Sequence, residues 1–288
     1  MIRDASQTTL LVLLAVLSLS TLLRGRLGIP FTVAIYLPYL WTLALAFTVA
    51  EFVSFEIGIW ILAALCFLAL REYFTLVDLR IQDRWGMLAA YLAIPVMFYF
   101  ISIDWYGMFI ISIPVWAFLV VPFAITLGGR EAEGSVLSIG AINVGLFLLV
   151  YCIGHIGYLT FYSTWMAVFL VTAVVVCDLF AYVLKSRERA ALPGIALQIL
   201  VPAPVTIILA LALAPWTGIP LRHSMILALL IPFLVAIGCH TITHLETDLG
   251  IDRSRIPSGH GRILNSLKSF LYAAPVAFHY LRYNLDAW

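Results

Sequence analysis

Ionisable residues in this chain come in short clusters, and the stretches between clusters are apolar and long enough to cross a bilayer as helices. Only 11% of the 288 residues are charged and 64% are hydrophobic, whereas a soluble domain carries about a quarter charged residues. A chain of this pattern has to satisfy its backbone hydrogen bonds within itself while its side chains face lipid. The fold class that follows is an all-α polytopic membrane bundle. Nine spans can be drawn: 9–23, 31–49, 56–70, 86–103, 107–127, 135–157, 163–184, 194–214 and 224–244. The opening "MIRDASQTTLLVLLAVLSLS" has the look of a signal peptide. It lacks a clear small-x-small cleavage site and is followed by "RGR", so it is read as a retained first span.

Nine spans place alternate connections on opposite sides of the membrane. Fourteen of the sixteen Lys and Arg then share one side, and only Arg3 and Arg222 fall opposite. The positive-inside rule makes the basic side cytoplasmic. The expectation is a multi-pass inner-membrane protein with its N-terminus outside and its C-terminus in the cytoplasm. The tail "SFLYAAPVAFHYLRYNLDAW" at 269–288 is apolar and aromatic but interrupted by Pro275. As a tenth span it would expel the C-terminus, so an interfacial or re-entrant helix is expected there instead. The net charge of +1 offers nothing to a nucleic acid. Cys66, Cys152, Cys177 and Cys239 lie in apolar runs with neither a disulfide frame nor zinc spacing.

Chemistry is sought where ionisable groups approach the spans, because their desolvation is costly. "CDLFAYVLK" sets Asp178 near the end of the seventh span. It could bind a metal or pair with a base such as Lys185. "LGGREAEG" at 127–134 lacks the Lys-Ser/Thr of a phosphate loop and reads as a turn. "GCHTITHLETD" puts His240 and His244 on one helical face with Glu246 nearby. Spacing supplies no third metal ligand, so polar packing between helices is the better reading and no metal site is assigned. The richest stretch is "GIDRSRIPSGHGRILNSLKS", at 250–269. Gly259 and Gly261 flank His260, and Arg262 and Lys268 add positive charge, a combination able to hold a phosphate. A basic loop resting on anionic headgroups fits the same residues.

From "IPSGHGRILNSLKSFLYAAPVAFHYLRY" onward the sequence resembles the integral-membrane phosphatidate cytidylyltransferases, the CDP-diacylglycerol synthases. Their C-terminal signature reads roughly P-G-H-G-G-x-x-D-R-x-D-S, followed in one bacterial branch by A-A-P-V-x-F-H-x-x-R-Y. "LREYFTL" at 70–76, "GLFLLVYCIGH" at 145–155 and "DLFAYVL" at 178–184 resemble other parts of that branch, in order. The resemblance divides the chain into an N-terminal transmembrane region, 1–55, and a synthase-like transmembrane domain, 56–288. It implies phospholipid metabolism, a homodimer, and a reaction in which CTP and phosphatidate give CDP-diacylglycerol and pyrophosphate with magnesium as cofactor. Such chemistry needs metal-held carboxylates and basic groups around the phosphates.

Many of those positions are altered. Against the family's G-D-L-x-E-S-x-x-K-R-x-x-G-I-K-D, Cys239 replaces an acid, Thr243 replaces the serine, and Glu246 with Thr247 stand where Lys-Arg should be. Arg262 replaces a glycine, Asn265 an aspartate, Ser266 an arginine, and Lys268 the last aspartate. Each charge reversal weighs about 4 kcal/mol per pair at ~4 Å and an effective dielectric of 20. No catalytic residue is therefore assigned. The expected function is a catalytically degenerate relative that binds a phospholipid or phosphate headgroup through Asp178, Gly259, His260, Gly261, Arg262 and Lys268, with a lipid-synthesis protein as a partner. An active phosphatidate cytidylyltransferase with a rewired site is the alternative.

Overall fold

A computed structural model describes residues 2–22, 37–128, 133–185, 194–249 and 267–285. Among the described residues the chain forms ten helices and no strand. They are α1 Ile2–Leu22, α2 Leu37–Phe52, α3 Phe55–Leu76, α4 Arg84–Ser102, α5 Tyr106–Thr126, α6 Ser135–Tyr162, α7 Thr164–Lys185, α8 Gly194–Thr217, α9 Leu221–Asp248 and α10 Phe270–Asn284. Seven of them, α3 to α9, are long and apolar enough to cross a membrane, and α1 and α2 hold shorter apolar stretches. The nine expected spans each match one of the first nine helices.

Prolines and glycines shape these helices in ways that packing makes use of. Pro114 has no N–H to offer the helical ladder, and α5 widens to a π-helical segment over Ser112–Ala117 around it. α6 carries a second such segment over Leu146–Tyr151, just after Gly145. α8 breaks at Val201 and Pro202. Gly58 allows the closest approach: a Cβ there would lie 2.7 Å from both the Ala46 carbonyl oxygen and the Ala50 Cβ of α2. α2 and α3 thus touch backbone to backbone, across the boundary at 55.

The core runs the length of the bundle and includes Leu62, Cys66, Met97, Phe98, Phe109, Ile153, Tyr158, Phe169 and Phe278. α8 is the outermost of the long helices, with only 17% of its apolar window buried. Large apolar side chains such as Leu92, Leu119, Phe123 and Ile208 point outward. A surface of that kind suits lipid and would be a liability in water.

A polar knot secures one end. Asp83 is fully buried and accepts hydrogen bonds from Arg80 Nη2 at 2.7 Å and from Ser138 Oγ at 2.5 Å. The Arg80 guanidinium also donates to Ser135 Oγ at 3.1 Å and to the Glu133 carbonyl. The connection after α3 is thereby tied to the start of α6, and the end of the "LGGREAEG" turn docks on an arginine.

The terminal helix α10 enters the bundle lengthwise and packs against α6, α7 and α9. Its start meets the far halves of α7 and α9, where Ser269 touches Asp178 and Cys239. Its end meets the opposite face: Arg282 donates to Tyr162 Oη at 2.8 Å, beside the short α6–α7 connection. Tyr280 pairs with His223, just after the α8–α9 connection. The helix is therefore antiparallel to α9, and Asn284 emerges at the end of the bundle where α1 begins. An interfacial or re-entrant helix is expected here; the helix instead runs through the bundle, with Asn284 at the end opposite Asp178. Arg282 joins Arg3 and Arg222 at the other end, and the charge skew persists without it.

Two outcomes follow from this packing. Gly58→Val forces α2 and α3 apart and costs about 1–3 kcal/mol, the usual range for overpacking. Gly140→Ala, which meets nothing within 4 Å inside α6, leaves the melting temperature of the purified protein unchanged or slightly raised, because alanine suits a helix interior better than glycine. In sealed vesicles, a cysteine at Asn284 reacts with an impermeant thiol reagent from the same side as one at Asp104, and a cysteine at Gln82 reacts from the other.

Candidate functional site

Asp178 lies on α7 about two turns before its end, half-buried against α9 and the start of α10. Ser269 precedes the first residue of α10 and is buried, and its hydroxyl donates to Asp178 Oδ1 at 2.5 Å. With that proton committed, the oxygen of Ser269 is left to accept, and Cys239 Sγ lies 3.3 Å from it. The thiol of Cys239 is thus the donor in a short chain, Cys239 to Ser269 to Asp178. Lys268 is half-buried next to Ser269, near enough for its charge to act on the Asp178 carboxylate. Gly238 lets Tyr272 of α10 close on α9 at this level, where a Cβ would come within 3.2 Å of the tyrosine.

Of the expected site residues the structure brings together Asp178 and Lys268, ninety positions apart in sequence. Gly259, His260, Gly261 and Arg262 lie outside the described residues. Glu246 sits two turns beyond Cys239 on the same line of α9 and is buried. His240 and His244 lie on the other face, exposed, with ring centroids 4.6 Å apart. The expectation that this pair packs between helices is corrected: the buried stripe of α9 runs through Gly238, Ile242 and Glu246, and the imidazoles turn outward.

Among the described residues the donor set at Asp178 does not by itself make up a magnesium site. Mg²⁺ demands several oxygens in near-octahedral array, with carboxylates among them. Asp178 offers one carboxylate, already held by a hydroxyl, with a thiol and an ammonium as its other neighbours. Among the described residues no three His, Cys, Asp or Glu side chains converge as a metal site. Lys268 adds one positive charge beside this carboxylate, at the start of α10.

A second polar cluster lies at the opposite end, and sequence reasoning passes over it. Asp104 adopts a left-handed backbone, φ 53°, in the α4–α5 connection, and it accepts from Tyr158 Oη at 2.6 Å. The Arg282 guanidinium stacks 3.6 Å above the ring of Tyr106. Deeper in the bundle, His155 Nδ1 donates to the Tyr151 carbonyl at 2.8 Å, which leaves its Nε2 to accept from His279 Nε2 at 3.3 Å. Phe109, Tyr151 and Phe278 enclose the His155 ring. An ionisable residue inside an apolar run is the signal that marks such positions, and His155, His279 and Arg282 all carry it.

The chain is similar to "Uncharacterized protein YnbB" of Escherichia coli (strain K12), at 27% identity over 237 residues, which cover 77% of this chain and 78% of that protein. The model of the cytidylyltransferase family matches residues 33–186, just over half of the chain, and the matched region contains Asp178. With the helical bundle and the family match in agreement, this protein belongs to the cytidylyltransferase family.

Proposed function

We propose that this protein is a cytidylyltransferase-family membrane protein that binds the anionic headgroup of a phospholipid through Lys268, next to the Asp178–Ser269 pair, without transferring a cytidylyl group. The observation that supports this reading is the company Asp178 keeps. Phosphoryl transfer depends on positioning and on neutralising charge at the phosphates, largely with metal ions held by carboxylates. Here a serine hydroxyl, a thiol and an ammonium stand where a second acid would be needed. Lys268 suits a phosphate oxygen as a charge-assisted donor, and the arginines of 253–262 would add to it. The basic end of the bundle, which holds this site, faces the cytoplasm of an inner membrane in this reading, and the protein works as a homodimer or beside an enzyme of phospholipid synthesis.

Family membership supports the second reading, an active phosphatidate cytidylyltransferase using CTP, phosphatidate and magnesium. The two readings part in one assay. Purified protein given CTP, phosphatidate and magnesium forms no CDP-diacylglycerol above a no-protein blank. Metal-dependent turnover that vanishes in both Asp178→Asn and His260→Ala sinks the first reading and establishes the second.

Headgroup binding has its own measurement. Lys268→Ala weakens the association of the protein with phosphatidate by about tenfold or more, because hydrogen bonds to charged groups contribute about 1.5–3 kcal/mol. Titration with phosphatidate in mixed micelles reads this directly, with phosphatidylcholine as the control lipid.

A further inference from the structure

An apolar groove of about 310 Å³ runs between α1, α2 and α7. Its walls include Leu10, Leu14 and Leu17 of α1, Leu43 and Phe47 of α2, and Val171 of α7. From Leu10 to Ser20 the groove follows about 15 Å of α1, at 1.5 Å rise per residue. Only two hydroxyl-bearing residues line it, and both hydroxyls are already committed. Ser20 Oγ donates to the Val16 carbonyl at 2.7 Å, and Thr172 Oγ1 to the Val168 carbonyl at 2.7 Å. Ligand pockets ordinarily place a few polar groups to fix a ligand's orientation. This one has none to spare, so its occupant is hydrocarbon.

The direction of the groove says which hydrocarbon. Trp41 donates to Thr21 Oγ1, so α2 runs against α1, and alternation of the spans makes α7 run with α1; Ser20, Leu40 and Val176 therefore mark one mouth and Leu10, Phe47 and Val168 the opposite end. The first mouth lies toward the basic end. On α7, Val171, Val175 and Asp178 follow one another at helical spacing along one side of the helix. The wall of the groove therefore continues, within one turn, to the carboxylate of the headgroup site.

We propose that this groove holds one acyl chain of the phospholipid whose anionic headgroup sits at Lys268, beside Asp178. The inference rests on the headgroup reading given above and adds to it that the site measures chain length. A lipid bound in this way enters sideways from the bilayer, with its chain along α1 and its phosphate at the start of α10. A short-chain analogue keeps the headgroup contact and loses the groove.

Two probes test this with the full-length protein: phosphatidate with two sixteen-carbon chains and phosphatidate with two six-carbon chains. Val175→Phe and Leu14→Phe fill the groove from different helices, so a folding defect in one does not decide the result. Each is expected to weaken long-chain phosphatidate binding about tenfold and to leave the short-chain probe unchanged, while Lys268→Ala weakens both. If Lys268→Ala acts and neither groove variant shifts the ratio of long-chain to short-chain affinity, the acyl-chain assignment is overturned and the headgroup site stands. If Lys268→Ala changes neither probe, the headgroup reading fails and this inference fails with it. Phosphatidate carrying a photoreactive acyl end labels α1 or α7, and excess phosphatidate suppresses the labelling. Equal suppression by phosphatidylcholine would mean a general lipid contact and would overturn the proposal.

Discussion

A polar group carried into hydrocarbon must find its partner within the protein, since no water is there to serve it. That constraint organises this bundle. Its helices answer the backbone, and the side chains follow the same rule. Tyr73 Oη donates across helices to the Ala141 carbonyl at 2.9 Å, and Thr206 Oγ1 to the Ala228 carbonyl at 2.6 Å. Asp83 collects Arg80 and Ser138, Asp104 collects Tyr158, and His155 collects His279. Among the described residues only the Asn143 amide nitrogen and the Trp165 indole are buried without a partner.

The site at Asp178 is built by the same rule and shows what the altered residues do together. A carboxylate near the end of α7 needs a donor, and Ser269 supplies one. A cysteine on α9 completes the chain where a second acid would repel the first. Lys268 then supplies positive charge beside the carboxylate. Among the described residues Cys239, Ser269 and Asp178 thus satisfy one another's hydrogen bonds.

Much of this architecture was legible in the sequence. The nine apolar runs each became a helix, and the skew of Lys and Arg kept their order in register. Asp178 and Lys268, named from separate motifs, lie near each other through Ser269. What was hidden is pairing between distant helices. Pro275, His279 and Arg282 make the last helix look too polar and too broken to enter a bundle. Inside it His279 meets His155, and Arg282 meets Tyr162 and Tyr106, so those costs are offset by partners more than a hundred positions away. His240 and His244 misled in the reverse direction. Their spacing predicts a shared face and says nothing about which way that face turns.

The contacts of Ser269 with Cys239 and of Tyr272 with Gly238 bring the two ends of one segment together independently of what lies between them. Among the described residues the start of α10 is thereby held by α7 and α9, so helix packing by itself sets Lys268 beside Asp178. A substitution that separates α10 from α9 at Gly238 would displace that lysine without touching either residue of the pair.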